Sequence, residues 1–425
     1  MLRNAGITFL LGNIFIVLQI VALYLILDKA SFVEYRSIIN TANFVAGVFT
    51  MGLVDSAHLA INKKNIQESQ YLGAACLLIF FAYSFSLTIF YIFSSSNTAN
   101  YIGLGMVLGF IISIYLVFIT MLRIRGDIDG YFKEINLNQR AIRAFIIVSA
   151  LMVTDSAQLW FILLLFGYLM HLLAVKIKGN IKISFSLITL KPVIKHSFLF
   201  FIVSLLVISI SRVPYYFSLY FYNTSQIVTI DMVMTAMLLL LIPFLNQYKI
   251  SEIKSNFNVK GYIKNAKTHY NERLKQQRFL VTVVVILSIA SELIVPDFLN
   301  NGLIVTGILM IGMTIIISGH HYLAMLQLTS NKKLLIKSFF AILATLLSLI
   351  AILNNFQFDY NVEILFIVLS VVYALIGKIV WCSIAQDVSN KFIDIRLFME
   401  GIVPALFLIG LSFFMENIDL MLYFP

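Results

Sequence analysis

Arg212 stands in "SISRVPYYF" (residues 209–217), inside an apolar run that carries no other charge from Phe198 to Tyr222. Its guanidinium cannot shed a proton in a protein. A charge at the centre of a bilayer costs roughly 3 kcal/mol on insertion scales, so a cavity or a partner must compensate it. Ser209 and Tyr216, three residues before and four after, share its helical face, while the rest of the turn is aliphatic. Pro214 removes a backbone donor and bends the helix. A bent, partly polar helix suits the wall of a water-filled cavity, and the planar fork of a guanidinium fits a pyrophosphate. The other reading is a structural charge paired with an acid.

A second set of polar residues lies on residues 36–60. Arg36, Asn40, Asn43, Gly47 and Thr50 recur on one helical face. Lining a cavity gives this pattern, and so does hydrogen bonding between helices. Further along, Asp231 falls five residues into an apolar stretch, placed to pair with Arg36 or to carry a proton. Asp55 and His58 fall near the end of the second stretch, where water is close. In "SGHHYL", Thr314, Ser318 and His321 share a face, and His321 can change charge near neutral pH. The adjacent His320 points elsewhere, so the pair is no metal motif. Lys378 is near enough to a span end to snorkel, and Glu292 is close to a boundary.

These residues need spans to hold them. Of the 425 residues, 60% are hydrophobic and only 12% charged, against about 25% charged in a soluble domain. The composition is that of an integral membrane protein, all-α, because helices satisfy their own backbone in lipid. Apolar windows long enough to cross a bilayer fall at about 7–27, 36–60, 71–94, 101–122, 137–154, 157–175, 197–222, 226–248, 279–297, 301–328, 334–354, 361–385 and 398–415. The first reads as a retained span, not a removable signal peptide. Cys76 and Cys382 lie within spans as packing residues.

With the N-terminus in the cytoplasm, most of the 30 basic residues fall on the inner side, including Arg123, Arg125, Lys133, Arg140 and Arg143. The outer side keeps Lys29 and Arg36. The net charge of +10 is therefore a topology signal with attraction to anionic lipid, not a nucleic-acid footprint. Residues 259–278 read as a basic amphipathic helix on the inner surface. The outer loops are too short for a catalytic domain. No phosphate-binding glycine loop, paired-cysteine motif, nucleophile elbow or zinc-ligand helix is present, so neither an enzymatic role nor a cofactor is expected.

The basic stretch 176–197 divides the spans into two sets of six, with one left over. The expected domains are a six-helix lobe over 1–196, a second over 197–386, and an extension over 387–425 with a thirteenth span. Aligning Asp28 with Asn223 brings Val33 onto Val228 and Arg36 onto Asp231. Repeated bundles of this kind are a transporter signature, with the site between them near mid-membrane. Arg36 and Asp231 then form a candidate latch between equivalent helix ends.

The opening "LDKASFVEYRSI", the segment "MGLVDSAHLAINKK", and "SISRVPYYFSLYFYNTSQIV" with "LLLLIPFLNQYKISEI" resemble polysaccharide flippases of the Wzx type. These belong to the multidrug/oligosaccharidyl-lipid/polysaccharide (MOP) exporter superfamily. Gly52, Leu53, Asp55, Ser56 and Ala57 match the end of that family's second span; Asp28 and Glu34 stand where it commonly has glycines, and Ser211 where it often has an acid.

The resemblance implies two six-helix lobes around a central cavity, in a bacterial cytoplasmic membrane. Its implied activity moves an undecaprenyl-pyrophosphate-linked oligosaccharide from the inner to the outer leaflet, driven by an ion gradient. Implied partners are that lipid-linked glycan, membrane lipids and the polysaccharide polymerase and chain-length machinery. Arg212, Ser209, Tyr216, Asn40, Asn43 and Thr50 are then the cavity candidates, with Arg36, Asp231, Asp55 and His321 for gating and ion coupling. A small-molecule exporter of the same superfamily is the alternative, though for cationic drugs it calls for acids where Arg212 stands. A membrane-embedded polysaccharide polymerase is the reading from another class.

Overall fold

The computed structural model describes residues 2–50, 52–58, 60–61, 66–93, 98–153, 156–198, 200–201 and 402–414, with scattered positions from 278 to 344. The chain divides into two compact units, Met1–Arg212 and Val213–Pro425. Among the described residues, the helices of the first include α1 (Leu2–Ile26), α2 (Lys29–Phe49), α3 (Leu53–His58), α4 (Glu68–Phe93), α5 (Thr98–Ile124), α6 (Ile128–Lys133), α7 (Gln139–Leu151) and α8 (Ala157–Lys178). Among the described residues there is no strand. Lys29–His58, Glu68–Ile92, Tyr101–Ile124 and Leu159–Lys178 are long and apolar enough to cross a membrane. Ile14, Leu18, Phe81, Phe85, Ile92 and Phe166 stand exposed on these and on α1, as expected where lipid replaces water. The protein is an all-α polytopic membrane protein.

Packing follows the small residues. Gly105, Gly109 and Ser113 repeat every fourth residue along α5 and so share one face. A Cβ added at Gly105 would lie 2.6 Å from Thr41 Cβ, and one at Gly109 would lie 2.8 Å from the Ala42 carbonyl oxygen. The Ser113 hydroxyl donates to the Ala46 carbonyl at 3.3 Å. Close backbone approach through small residues drives helix association where lipid removes the hydrophobic incentive. α2 therefore meets α5 through Ile38, Thr41, Ala42, Val45 and Ala46.

The turn into α2 is fixed by Asp28, whose carboxylate accepts the Ser31 amide at 3.4 Å as an N-cap. Hydrogen bonding with Ser31 holds that carboxyl below its usual range. A lowered acid contributes stability above its unfolded value and loses it as pH falls through the folded one. Asp28→Ala should thus give a small drop in thermal stability in detergent at pH 7, and the gap from wild type should close on acidification. A gap that is unchanged at low pH would exclude the charged cap.

The sequence puts a span at 137–154, with Arg140 and Arg143 counted to the inner side. The helix begins earlier: α6, a π-helical turn over Glu134–Asn138 and α7 run on without a break from Ile128 to Leu151. Arg140 and Arg143 lie within it, and their partners Asn13 and Gln19 are remote in sequence.

At one end of this unit the helices are tied together by Arg123 and Arg125, in and just beyond the last turn of α5. Arg123 donates to the Val54 carbonyl at 2.7 Å, and its guanidinium lies 5.3 Å from the Tyr131 ring centroid. Arg125 forms a two-pronged pair with Glu68, at 3.0 and 2.5 Å, and also donates to the Gly179 carbonyl. In the second unit, a helix over Ile402–Phe414 packs on Gly307, where an added Cβ would lie 2.8 Å from the Ala405 carbonyl oxygen.

Candidate functional site

α2 carries two opposed faces. At about 100° per residue, Arg36, Asn40, Asn43 and Gly47 lie roughly opposite the face that meets α5. The polar stripe is thus not spent on the α2–α5 contact. Arg36 and Asn40 are 5% and 1% exposed, and Thr50 is buried, while Asn43 and Gly47 are half-buried. The Thr50 hydroxyl donates to the Gly47 carbonyl at 2.9 Å, a local bond at the helix end. Asp55, in the first turn of α3, is half-buried and within electrostatic reach of Tyr71 and Tyr131. Arg212, Ser209, Tyr216, Asp231 and His321 lie outside the described residues, as does the stretch 259–277.

Beside the stripe runs a chain of polar contacts that sequence reasoning missed. The Gln19 side-chain amide donates to the Tyr35 hydroxyl, and Arg143 Nε donates to the Gln19 amide oxygen at 3.3 Å. One turn earlier, Arg140 donates to the Asn13 side-chain oxygen. Tyr35 is 1% exposed and its ring meets Trp160 edge-on, 6.2 Å between centroids. The guanidiniums of Arg36 and Arg143 both bear electrostatically on Tyr35, so α2 and α7 bring positive charge toward this buried tyrosine. The i, i+3 spacing of Arg140 and Arg143 was the available signal, since it sets both on one helical face.

The π-helical turn builds a second cluster. Tyr115, fully buried on α5, donates its hydroxyl to the Glu134 carbonyl at 3.1 Å. His171 Nε2 on α8 lies 3.1 Å from that hydroxyl and 3.0 Å from the Glu134 carboxylate. The Glu134 oxygen is within ion-pair distance of the imidazole but accepts no hydrogen bond from it. π-helical turns are frequent at functional sites because they reset the register of the side chains that follow. Among the described residues no group of three or more His, Cys, Asp or Glu is placed to hold a metal ion.

Solved structures of similar fold are known. The chain superposes on an outward-facing multidrug resistance MATE family transporter of the MOP superfamily, with a TM-score of 0.55, 10% identity, and 97% and 96% of the two chains covered. A MATE protein in complex with MaD3S gives a TM-score of 0.59 at 11% identity, covering 92% and 96%. A MOP superfamily transporter from Pyrococcus furiosus, described as having a binding pocket of reverse polarity suggesting a different function, gives 0.51 at 11%, covering 96% and 93%. The fold is that of MATE transporters. No protein-family model matches the chain, and no curated protein matches it by sequence. At this identity the likeness speaks for the fold alone.

Proposed function

We propose that this protein is a MOP-superfamily transporter that moves an undecaprenyl-pyrophosphate-linked oligosaccharide from the inner to the outer leaflet of a bacterial cytoplasmic membrane. Alternating access of two lobes, over 1–196 and 197–386, carries the substrate, with an ion gradient as the driving force and the N-terminus in the cytoplasm. The observation that carries the reading is the sign of the interior charge. Among the described residues of the first unit, Arg36 is buried and Arg140 and Arg143 are half-buried beside amides and tyrosines, while the buried carboxylate Glu134 stands 3.0 Å from His171. An anionic headgroup is the cargo such a unit favours. Arg212 adds a further guanidinium for the pyrophosphate, with Ser209, Tyr216, Asn40, Asn43 and Thr50 around it. Arg36 and Asp231 act as an outer latch, with Asp55 and His321 in ion coupling. The polymerase and chain-length machinery would receive the product.

The fold neighbours favour a second reading, export of small molecules, since one of them is a multidrug resistance transporter. They favour a transporter of either kind over a polymerase. One experiment separates the two readings. Arg212→Ala in the producing cell should abolish surface glycan at unchanged protein level, with Arg212→Lys restoring part of it. Deleting the gene should leave sensitivity to cationic dyes unaltered. Wild-type glycan from the alanine variant, or dye hypersensitivity with intact glycan on deletion, would replace the flippase with the exporter.

A further inference from the structure

The basic stretch that follows α8 is not a free loop. Its first part is strapped to the unit, because the Ser184 amide donates to the Ser69 carbonyl at 2.9 Å and the Ser184 carbonyl packs directly over Gly73. A helix then runs over residues 187–198. Its far end is pinned at Gly52, in the turn between α2 and α3. There φ is +71°, and an added Cβ would lie 2.6 Å from the Phe200 carbonyl carbon.

Both anchors belong to one end of the unit. Gly52 is two residues from Val54, which Arg123 holds, and Ser69 adjoins Glu68, which Arg125 holds. The helix therefore crosses that end from the first turn of α4 to the end of α2, lying across the bundle axis and not along it. It is the last described element before the boundary between the two units at Arg212 and Val213.

Its two faces differ sharply. Thr189, Val193, Ser197 and Phe200 are buried at helical spacing. The opposite arc leaves Leu187 and Ile188 at 76% and 88% exposure, with Ile194 and Phe198 about half exposed. Lys191 and Lys195 stand on the same exposed arc, and Lys182 and the 67%-exposed Phe185 precede it. No acid lies between Lys176 and Phe201. Water alone is a poor neighbour for so much apolar surface, and hydrocarbon alone is a poor neighbour for the lysines. The headgroup layer accepts both, since amphipathic helices with lysine beside large apolar residues lie in that plane. Anionic lipid adds attraction for each lysine near its surface.

We propose that residues 185–198 form an interfacial anchor that binds anionic phospholipid, holding the connection between the two units at headgroup depth. Leu187, Ile188, Ile194 and Phe198 enter the acyl boundary, and Lys182, Lys191 and Lys195 meet lipid phosphates. The surface charge of the leaflet then sets how firmly this connection is held. The inference depends on the membrane fold, not on which cargo is carried.

The test uses the full-length protein with Cys76→Ser and Cys382→Ser, a single spin label at Ile188→Cys, and lipid nanodiscs. Accessibility to oxygen, which collects in acyl chains, is compared with accessibility to an aqueous nickel chelate. In discs of phosphatidylcholine with phosphatidylglycerol the label should be reached by oxygen and shielded from the chelate. Replacing Lys191 and Lys195 with glutamate should cut that preference roughly tenfold or more, and discs of phosphatidylcholine alone should weaken it in the wild-type background. High chelate access in both lipids would show a water-facing helix and overturn the anchor. Low access to both reagents would show a protein partner instead, and shielding independent of lipid charge would remove the anionic specificity.

Discussion

Gly12→Ala should lower thermal stability more than its single methyl group suggests, by about 1–3 kcal/mol or the top of that range. Gly12 is where α1 comes closest to the π-helical turn: a Cβ there would overlap the Asn136 carbonyl oxygen and lie 2.8 Å from its carbonyl carbon. The obstacle is backbone, so no rotamer change can relieve it, and α1 must move away from Glu134–Asn138. That movement also strains the bonds from Arg140 to Asn13 and from Arg143 to Gln19. The control is Gly410→Ala, on the helix Ile402–Phe414, where an added Cβ meets nothing within 4 Å. Alanine is the better helix former by up to ~1 kcal/mol, so that variant should hold or gain stability. Melting of both variants by fluorescence-detected size exclusion in detergent decides it. Equal melting temperatures for Gly12→Ala and wild type would mean that α1 does not approach the turn this closely.

The same contact explains which parts of the molecule could be read in its sequence. The existence of spans was legible, because hydropathy needs no tertiary knowledge and because lipid forces helices. The polar stripe of α2 was legible too, since Arg36, Asn40 and Asn43 share a face of one local element. The span at 137–154 was legible, but its start at Ile128 was not. Nor does anything local show that Asn13 and Gln19, more than a hundred residues earlier, receive Arg140 and Arg143. Tyr115, Glu134 and His171 likewise come from three separate elements, and no spacing within any one of them announces the cluster. The α2–α5 seam is an intermediate case: the four-residue repeat of Gly105, Gly109 and Ser113 marks a contact face, but only the fold shows that α2 is what meets it.

The largest asymmetry is expected at the pair Glu134–His171, whose side chains are only 8% and 11% exposed and 3.0 Å apart. Breaking a buried pair from one side leaves the other charge to manage alone, at about 3–5 kcal/mol when it cannot neutralise itself. A carboxyl of ordinary affinity needs roughly 3–4 kcal/mol to become protonated at pH 7. His171→Ala, which strands that carboxylate, should therefore destabilise strongly, and Glu134→Gln, which keeps the shape and leaves no stranded carboxylate, less so. Adding Glu134→Gln to His171→Ala should recover much of the loss, because it removes the stranded charge. Acid should do the same for the His171→Ala single variant: protons neutralise Glu134 in the folded protein, so its stability relative to the double variant rises as pH falls from 7 to 5. The Tyr115 bond to the Glu134 carbonyl, at 3.1 Å, involves the main chain and survives all three changes. His171→Ala also removes the contact of His171 with the Tyr115 hydroxyl, so the comparison of His171→Ala with the double variant, which share that loss, is what isolates the charge of Glu134. Equal losses from the two single variants, or a double variant no more stable than His171→Ala, would mean that the cluster is held by packing and not by charge.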